Sequence, residues 1–465
     1  MTGRKQIAPA TETERIVREG VHGYSEGKQW VQPSDPLLLE RLAWFQDQKL
    51  GLMMHWGPYA QIGVVESWAL SDEDASWSRS EIEWDVDGEE LKRHYFGLNR
   101  SFNPVRFEPR AWAELAADSG FKYLIFTTKH HDGFCMWDTA TTDYRITGPE
   151  CPFRTHRYAD VCRHVFDAFR EEGLAIAAYF SKADWHAPEY WKPGATGGSR
   201  RGPSYDPRED PEAWERFVAF THAQIDELTT RYGRIDALWL DAGWVRREEG
   251  QDIRLGEAVE RARRTQPWLL AVDRTVGGPY ENYVTPEQTV PEVPLFVPWE
   301  SCITIGDAFS YRYDERYKST REIVRLLLEV VAKGGNLALN VAPQPDGRLP
   351  RPVVERLQEL GAWLRTHGEG IYRTRVCEPY FAEECAFTRR GDTVFAYRLY
   401  RSEREPVPER VAIPYRGPVS RIELMETGER LAFDRTDRGL TVRLPLSQSG
   451  YVEPVPFAHG FRLTV

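Results

Sequence analysis

The sequence is poor in cysteine and has neither a long apolar run nor a block of basic residues. Its 465 residues include six cysteines, and no two are spaced as Cys-x-x-Cys, which argues against a disulfide scaffold and against a zinc knuckle. No segment approaches the roughly 18 apolar residues that span a bilayer, and the opening stretch MTGRKQIAPATETERIVREG has no apolar run of signal-peptide length. We therefore expect a cytoplasmic protein with reduced thiols.

The charge balance also excludes several classes of partner. The chain has 60 basic and 71 acidic residues, a net charge of −11, so neither a nucleic acid nor an anionic membrane surface is an expected partner. Aromatic residues are abundant, with 21 Phe, 16 Trp and 21 Tyr. Most of these rings belong to a core, but the excess is consistent with stacking surfaces for sugar rings. The expected partner is a small or neutral molecule, and a homo-oligomer is compatible with the sequence.

Short apolar runs alternate with segments of helical period, a pattern typical of βα units around a parallel sheet. Helix starts and stops support this interpretation: Asp35 and Pro36 open one helix, Ser319 with Glu322 forms a capping box, and Gly173 ends a third helix. No eighth run can be placed. The seven predicted strands are 50–54, 123–128, 174–180, 235–240, 268–272, 295–299 and 336–341.

After about residue 372 the pattern changes to short runs rich in β-branched and aromatic residues: TVFAYRLY, RVAIPY, RIELMET, LTVRL and FRLTV. These runs are separated by Gly, Pro, Asp and Ser, as in an antiparallel sandwich. We therefore predict an α/β protein. A (β/α)8-like (TIM) barrel forms the catalytic domain over residues 1–370, and an antiparallel β-sandwich domain follows over 371–465.

In a parallel barrel the chemistry is assembled at the carboxyl ends of the strands. Polar or aromatic residues follow nearly every predicted strand here, so we expect them to line one pocket. They are His55 and Trp56, Lys129 to Asp132 including His130 and His131, Ser181 with Asp184 to His186, Asp241, Asp273 with Arg274, Trp299 with Glu300, and Asn340.

Each of these residues also has a structural interpretation when taken singly. His55 alone is more often a hydrogen-bonded structural histidine, and Asp241 could be a helix cap. Arg274 could simply pair with Asp273. Glu287, in a loop containing prolines, would usually be a solvated charge. The convergence of several such residues on one barrel face favours ligand contact.

Two chemistries suit a pocket of this kind. Metal-assisted hydrolysis would use histidine and aspartate at strand ends as ligands, whereas glycoside hydrolysis needs two carboxylates that flank the scissile bond. Adjacent His130 and His131 would point in different directions if extended, so they are poor joint ligands for one ion. The sequence therefore favours glycoside chemistry, with no metal and no organic cofactor.

Several long motifs resemble those of the α-L-fucosidases of glycoside hydrolase family twenty-nine. They occur in that family's order and include two very specific stretches, TTKHHDGFCMWD and KGGNLALNVAPQPDG. The resemblance implies an irregular barrel followed by a β-sandwich, and a fucosylated glycan as substrate. The matching stretches are LGLMMHWGPY (50–59), the segment 102–144, YGRIDALWLDAGW (232–244), VTPEQ (284–288) and segments between 330 and 372.

The resemblance also implies roles for single residues. Asp241 matches the catalytic nucleophile and Glu287 the acid/base, with Glu300, Glu66 and Glu281 as the substitutes in that order. Trp239 would pack under the sugar. The three histidines His55, His130 and His131 are expected to donate hydrogen bonds to the sugar, and Tyr179 and Arg274 are expected to bind it as well. Further expected sugar contacts are Trp56, Glu66, Trp68, Trp137, Trp299 and Glu300.

The sequence departs from the family pattern at two places. Ser67 separates Glu66 from Trp68, which are adjacent in many members. The stretch PWESCITIGDAFSY (298–311) is similar to a motif of members selective for branched α-1,3 and α-1,4 fucosides, but it lacks the Trp-Gly that usually precedes the tyrosine. The motif therefore only hints at a linkage preference.

The resemblance implies an exo-acting retaining hydrolase that works by double displacement. Asp241 would stay ionised with help from Arg274, while Glu287 would begin protonated because of desolvation and nearby negative charge. Two alternatives stay open: a glycosidase for a related sugar such as an α-L-galactoside, and a catalytically silent carbohydrate-binding protein.

Overall fold

The structure is a computed structural model, and it describes residues 30–79, 88–194, 200–450, 452 and 454–465. The opening stretch used above for the signal-peptide argument lies outside these ranges. Within them, no helix has the length and apolar character needed to cross a membrane. All six cysteines are buried and unpaired.

The first part of the chain forms a curled seven-stranded parallel sheet with helices around it. Its strand order is β5-β4-β3-β2-β1-β7-β6, so β2 lies at the centre. The strands of this sheet are β1 (Leu50–Met54), β2 (Tyr123–Lys129), β3 (Ala175–Ser181), β4 (Ala237–Asp241), β5 (Leu270–Asp273), β6 (Glu300–Thr304) and β7 (Asn336–Val341).

The buried faces of most of the helices form the largest core cluster together with one face of the strands, whereas the buried face of the first helix packs in a separate cluster with the other face of the strands. The described helices are α1 (Pro36–Gln48), α2 (Ala75–Ser78), α3 (Gly88–Phe96), α4 (Pro109–Asp118), α5 (Val161–Glu171), α6 (Pro211–Arg231), α7 (Leu255–Thr265), α8 (Thr320–Ala332) and α9 (Arg351–His367).

The predicted helix boundaries are confirmed by their capping interactions. The side chain of Asp35 accepts a hydrogen bond from the Leu37 N–H at the start of α1 (2.8 Å), and Ser319 and Glu322 form the expected capping box at the start of α8. Gly173 follows α5 with a φ of 78°, a left-handed conformation that favours glycine.

The sixth predicted strand was misplaced. The apolar run 295–299 lies in a loop rich in proline, where Phe296 is fully exposed, and the strand itself is β6, beginning at Glu300. Pro298 has no N–H to donate to a neighbouring strand, and the pairing with β7 begins only at Glu300. The polar-looking segment ESCIT takes its place, with every residue buried.

An irregular extended segment, Tyr280 to Gln288, fills the gap between β5 and β6 where no eighth strand was predicted. The Asp273 N–H donates to the Tyr280 carbonyl (2.8 Å) on the β5 side. On the β6 side the Val284 N–H donates to the Pro298 carbonyl and the Gln288 N–H to the Cys302 carbonyl (both 3.0 Å). This segment closes the barrel and carries Glu287.

The last part of the chain forms two antiparallel sheets that share one core cluster, so the predicted TIM-like barrel followed by an antiparallel β-sandwich is confirmed. The five-stranded sheet has the order β12-β15-β10-β9-β8 and the three-stranded sheet the order β11-β14-β13. Their strands are β8 (Arg375–Ala382), β9 (Cys385–Arg390), β10 (Thr393–Leu399), β11 (Arg410–Ile413), β12 (Arg421–Leu424), β13 (Phe433–Thr436), β14 (Gly439–Arg443) and β15 (Ala458–Thr464).

Candidate active site

A cavity of about 220 Å³ opens at the carboxyl ends of the barrel strands. Its walls include five of the strand-end residues that the sequence singled out: His55, His130, His131, Asp241 and Arg274. The expected convergence on one pocket is confirmed for these five and not for the other strand-end residues, among them Lys129, Asp132 and Asp273. The lining residues are Met53, His55, Glu66, Trp68, His130, His131, Tyr179, Arg201, Trp239, Asp241, Gly243, Trp244, Arg246, Arg274, Thr275, Glu287, Cys302 and Phe309.

Asp241 ends β4, and both of its carboxylate oxygens accept hydrogen bonds. Its Oδ1 accepts from Arg274 Nη1 (3.0 Å) and its Oδ2 from the Tyr179 hydroxyl (2.5 Å). Burial favours the protonated acid, but the Arg274 guanidinium and the tyrosine hydrogen bond outweigh it and hold the pKa of Asp241 below its ordinary value. Asp241 is therefore ionised at neutral pH, as a nucleophile must be.

Arg274 connects the two carboxylates that the sequence proposed as catalytic. It follows β5 and binds Asp241 through Nη1, while Nη2 contacts Glu287 on the closing segment. Its guanidinium also lies 5.0 Å from the centre of the Trp239 ring. Arg274 does not pair with Asp273, because the neighbouring Asp273 carboxylate binds Lys182.

The contact between Arg274 and Glu287 differs from the expected surroundings of a general acid. We expected nearby negative charge to keep Glu287 protonated, whereas the structure places a guanidinium directly against it. An ion pair of this kind stabilises a carboxylate. A general acid at this position must therefore exchange its contact with Arg274 for a contact with the substrate.

The three histidines are buried, and each has its Nδ1 occupied by a protein group. His55 Nδ1 bonds Asn340 Oδ1 (2.8 Å), His131 Nδ1 bonds Ser181 Oγ (2.7 Å), and His130 Nδ1 bonds Ser67 Oγ. Burial lowers the pKa of His55 and of His131 to about 4, and it lowers the pKa of His130 as well. All three imidazoles are therefore neutral at pH 7.

The hydrogen-bond network decides which histidine nitrogens carry the proton. Asn340 Nδ2 donates to the Phe309 carbonyl (2.7 Å), so its Oδ1 accepts from His55 Nδ1–H. Ser181 Oγ donates to the Ala183 carbonyl (2.6 Å), so it accepts from His131 Nδ1–H. The resemblance implied that these histidines donate to the sugar, but in the neutral state their Nε2 atoms are acceptors. His131 Nε2 is buried without a hydrogen-bond partner.

Glu66 lines the cavity although Ser67 separates it from Trp68. Its Oε1 accepts from the Ser310 N–H (2.6 Å), and its own N–H donates to Ser310 Oγ (3.0 Å). Burial raises the pKa of Glu66 to about 8, despite the hydrogen bonds from Ser310. Glu66 is thus mainly protonated at pH 7 and can donate a hydrogen bond. Trp68 lines the same wall.

Four residues that were expected to bind the sugar do not line the cavity. Trp56 and Trp137 point outward from the barrel, where Trp56 packs on Trp112 and Trp137 donates to Glu227 (3.0 Å). Successive side chains at a strand end point to opposite sides, so Trp56 faces the helices when His55 faces the barrel interior.

Trp299 and Glu300 miss the cavity for a different reason. We placed them at the carboxyl end of the sixth strand, but Glu300 begins β6 and therefore lies deeper in the barrel. There the Glu300 carboxylate accepts from Trp239 Nε1 (3.1 Å) and from the Tyr123 hydroxyl. Glu300 anchors Trp239 from below and does not line the cavity, which corrects its position as first substitute for the acid/base.

Sequence reasoning missed part of the cavity wall. Trp244 and Thr275 could have been found, since they come shortly after Asp241 and directly after Arg274. Arg201 lies in a long connection after β3 and Phe309 in the loop after β6, where no sequence signal marks the approach to the cavity. The missed lining residues are Met53, Arg201, Gly243, Trp244, Arg246, Thr275, Cys302 and Phe309.

Backbone strain is concentrated beside the catalytic candidates. Ala242 (φ 69°), Thr275 (φ 64°) and Gln288 (φ 51°) each directly follow one of the three residues Asp241, Arg274 and Glu287 in the sequence. Non-glycine residues rarely adopt such conformations, and they persist where the surrounding structure requires them. Each of these three conformations thus lies directly beside a residue that lines the cavity.

His130, His131 and Asp241 form the one cluster in the described part of the chain with the spacing of a metal site, their ligand atoms all lying within 4.8 Å of one another. Our expectation that the adjacent histidines diverge is therefore wrong. The reason is that β2 ends at Lys129, so the two histidines are not extended. Both oxygens of Asp241 already accept hydrogen bonds, one of them from a cation, which favours a hydroxyl-binding group over a metal site.

Taken together, the fold and the site define a glycoside hydrolase: a barrel whose strand ends bring a buried, ionised carboxylate and a second carboxylate into one small cavity. The family model for α-L-fucosidases matches residues 29–369. The chain belongs to the α-L-fucosidase family.

Relatives of known activity agree with this assignment. The chain is 28% identical to the plasma α-L-fucosidase of Rattus norvegicus over 350 residues, which are 71% of this chain and 70% of that protein. A solved structure of α-L-fucosidase isoenzyme 1 from Paenibacillus thiaminolyticus is 31% identical, with a TM-score of 0.75 over 92% of this chain and 99% of that one. The α-fucosidase of Thermotoga maritima in complex with fucose is 27% identical, with a TM-score of 0.72 over 93% and 100%.

Proposed function

We propose that the protein is an exo-acting retaining hydrolase that releases terminal α-L-fucose from oligosaccharides or glycoconjugates. The observation that carries this proposal is the shared contact of Asp241 and Glu287 with the single guanidinium of Arg274. Two carboxylates bound to the two ends of one guanidinium are close enough to flank one glycosidic bond. Retaining enzymes hold their carboxyl groups about 5 to 5.5 Å apart, without space for an intervening water.

In the first step Asp241 attacks C1 of the fucosyl residue while Glu287 protonates the departing oxygen, which gives a covalent fucosyl-enzyme. In the second step Glu287 accepts a proton from water, and this water displaces Asp241 from C1. Arg274 serves both steps, because it keeps Asp241 ionised and stabilises Glu287 whenever that residue is a carboxylate.

The cavity suits one small sugar with several hydroxyls. Its volume of about 220 Å³ is below the roughly 300–1,000 Å³ of pockets for drug-sized ligands. The Nε2 atoms of His55 and His131 accept hydroxyl hydrogens, and protonated Glu66 donates one. Met53, Phe309 and the rings of Trp68 and Trp239 supply the apolar wall that a 6-deoxy sugar needs.

The direct test is the hydrolysis of an aryl α-L-fucoside, followed by NMR from the first minute. We expect release of α-L-fucose as the first-formed anomer, because two inversions at C1 restore the starting configuration. The matched substrate is the aryl α-L-galactoside, which differs by one hydroxyl at C6. An apolar wall rejects an added hydroxyl only moderately, so we expect it to react about 10 to 100 times more slowly.

Three outcomes would overturn parts of this proposal. Release of β-L-fucose first would exclude a retaining mechanism. Faster cleavage of the galactoside would assign the pocket to the alternative sugar. Tight binding of fucose without any turnover would support the catalytically silent carbohydrate-binding protein.

Replacing Arg274 by Met should shift the acidic limb of the pH profile of kcat/KM to higher pH. Burial alone raises the pKa of Asp241, and Arg274 is the cation that opposes it. Without this cation the aspartate takes up a proton at higher pH, so kcat/KM for an aryl fucoside should begin to fall about one pH unit or more above the native limb.

The matched control is Arg246→Met, since Arg246 lines the same cavity without a hydrogen bond to Asp241. Its acid limb should stay in place. An unchanged limb in Arg274→Met, measured at the same ionic strength, would show that Arg274 does not set the ionisation of the nucleophile.

A further inference from the structure

A second hollow of about 470 Å³ adjoins the fucose cavity and shares two wall residues with it, Arg201 and Trp244. We call it the outer groove. The segment 200–208 forms one side, and Trp244, Glu249 and Gln251 form the other. Since an exo-acting enzyme leaves the aglycone outside the fucose cavity, a groove that opens from the cavity wall is a place where the aglycone can lie.

The wall of the outer groove is held rigidly. The indole N–H of Trp185 donates to the Arg201 carbonyl (3.0 Å), and that of Trp191 donates to the carbonyls of Arg200 (3.1 Å) and Gly202 (3.0 Å). The rings of Trp185 and Trp191 are themselves stacked, with centroids 5.0 Å apart. A wall fixed in this way binds a ligand without first having to be ordered.

Arg201 is positioned at the junction by a buried partner. Its Nε and Nη2 donate to the two oxygens of Asp74 (3.0 and 2.5 Å), a carboxylate with no exposed surface, and the guanidinium lies over the Trp68 ring. Within the described residues, Arg201 Nη1 makes no hydrogen bond. Arg201 and Trp244 thus lie side by side at the junction of the two hollows, and Arg201 has a guanidinium N–H that Asp74 does not occupy.

These groups match a neutral sugar more closely than an acidic one. An indole ring beside a guanidinium N–H donor suits a pyranose, which stacks one face and offers hydroxyl oxygens at its rim. Three cations of the groove, Arg200, Arg201 and Arg208, are balanced by the three anions Glu73, Asp206 and Glu249. The groove therefore has no excess of positive charge to recognise sialic acid or sulfate.

We propose that the outer groove binds the neutral oligosaccharide to which the fucose is attached, with the first sugar on Trp244 beside Arg201 and the next sugars along segment 200–208. This inference rests on the proposed function. It makes the enzyme selective for fucosylated chains of several neutral sugars over fucosides with a single-ring aglycone.

The test is a comparison of kcat/KM along a length series: an aryl fucoside, a fucosyl disaccharide and neutral fucosylated tri- and tetrasaccharides of one linkage that the enzyme cleaves. We expect kcat/KM to rise from the disaccharide to the tetrasaccharide by about tenfold or more. The variant Tyr205→Ala removes a ring of the distal groove and should lower kcat/KM for the tetrasaccharide about tenfold more than for the aryl fucoside.

The control variant is Arg247→Ala, a side chain that is 84% exposed and lies outside the groove, and it should behave as the native enzyme on every substrate. Equal rates along the length series, an equal loss on both substrates in Tyr205→Ala, or a preference for sialylated over neutral chains of the same length would each overturn the inference. Absence of aryl fucoside hydrolysis by the native enzyme would instead overturn the proposed function.

Discussion

The variant Asp241→Gly should lose hydrolysis of an aryl α-L-fucoside by roughly three to six orders of magnitude, the scale of losing a catalytic nucleophile. The fold should survive, because Asp241 lies at the end of β4 and borders the cavity, outside the packed core. Turnover is measured on the purified variant, and its thermal unfolding is compared with that of the native enzyme.

Azide should restore turnover in this variant, since the removed carboxylate leaves space below C1. Attack from that side gives the β-L-fucosyl azide, inverted relative to the substrate. The control is Asp143→Gly, which removes a carboxylate that is 80% exposed and should keep native activity. Near-native activity of Asp241→Gly, or an azide product of α configuration, is incompatible with Asp241 as the nucleophile.

The variant Glu287→Ala should show a strong dependence on the leaving group. Substrates with a poor leaving group, such as a fucosyl disaccharide, need protonation of the departing oxygen and should slow by about 10² to 10⁴. Activated aryl fucosides form the covalent intermediate without this proton, so their first step should be far less affected. Azide should now give the α-L-fucosyl azide, because Asp241 is still present and attacks first.

Two glutamates supply the controls for this assignment. Glu66→Ala removes the other carboxyl group of the cavity wall, and Glu300→Gln changes the buried residue below Trp239. Both variants are expected to slow activated and poor substrates to a similar degree, as positioning residues do. If Glu66→Ala gave the leaving-group dependence and Glu287→Ala did not, the acid/base role would pass to Glu66.

The predicted strands show where sequence patterns succeed. The run 336–341 was predicted to the residue as β7, and 50–54 as β1, because both are apolar segments bounded by polar or turn residues. The prediction of a strand over 295–299 was wrong, because it considered only the apolar character of the run. Pro298 in this run has no N–H to donate to a neighbouring strand, and β6 begins only at Glu300.

That shift of a few residues changed the functional interpretation. A residue at the carboxyl end of a barrel strand faces the active site, whereas one at the amino end lies deeper in the barrel or on its opposite face. Glu300 was expected at the mouth and in fact supports Trp239 from below. A shift of the strand limits by a few residues is therefore enough to assign a carboxylate the wrong role.

Local information was sufficient for the barrel class, the antiparallel sandwich and the position of Asp241 at a strand end, because periodicity, caps and strand-end chemistry are properties of neighbouring residues. The role of Asp241 as nucleophile followed from the resemblance to the α-L-fucosidases. The contacts that make the site work join distant segments: Arg274 with Glu287 on a closing segment without strand periodicity, Arg201 with buried Asp74, and Ser181 or Asn340 with the histidines. Burial and partners far apart in the chain decide which nitrogen of His55 and of His131 carries the proton, and they also decide the neutral state of Glu66 and the shape of the outer groove. This burial and these partners exist only once the barrel has closed.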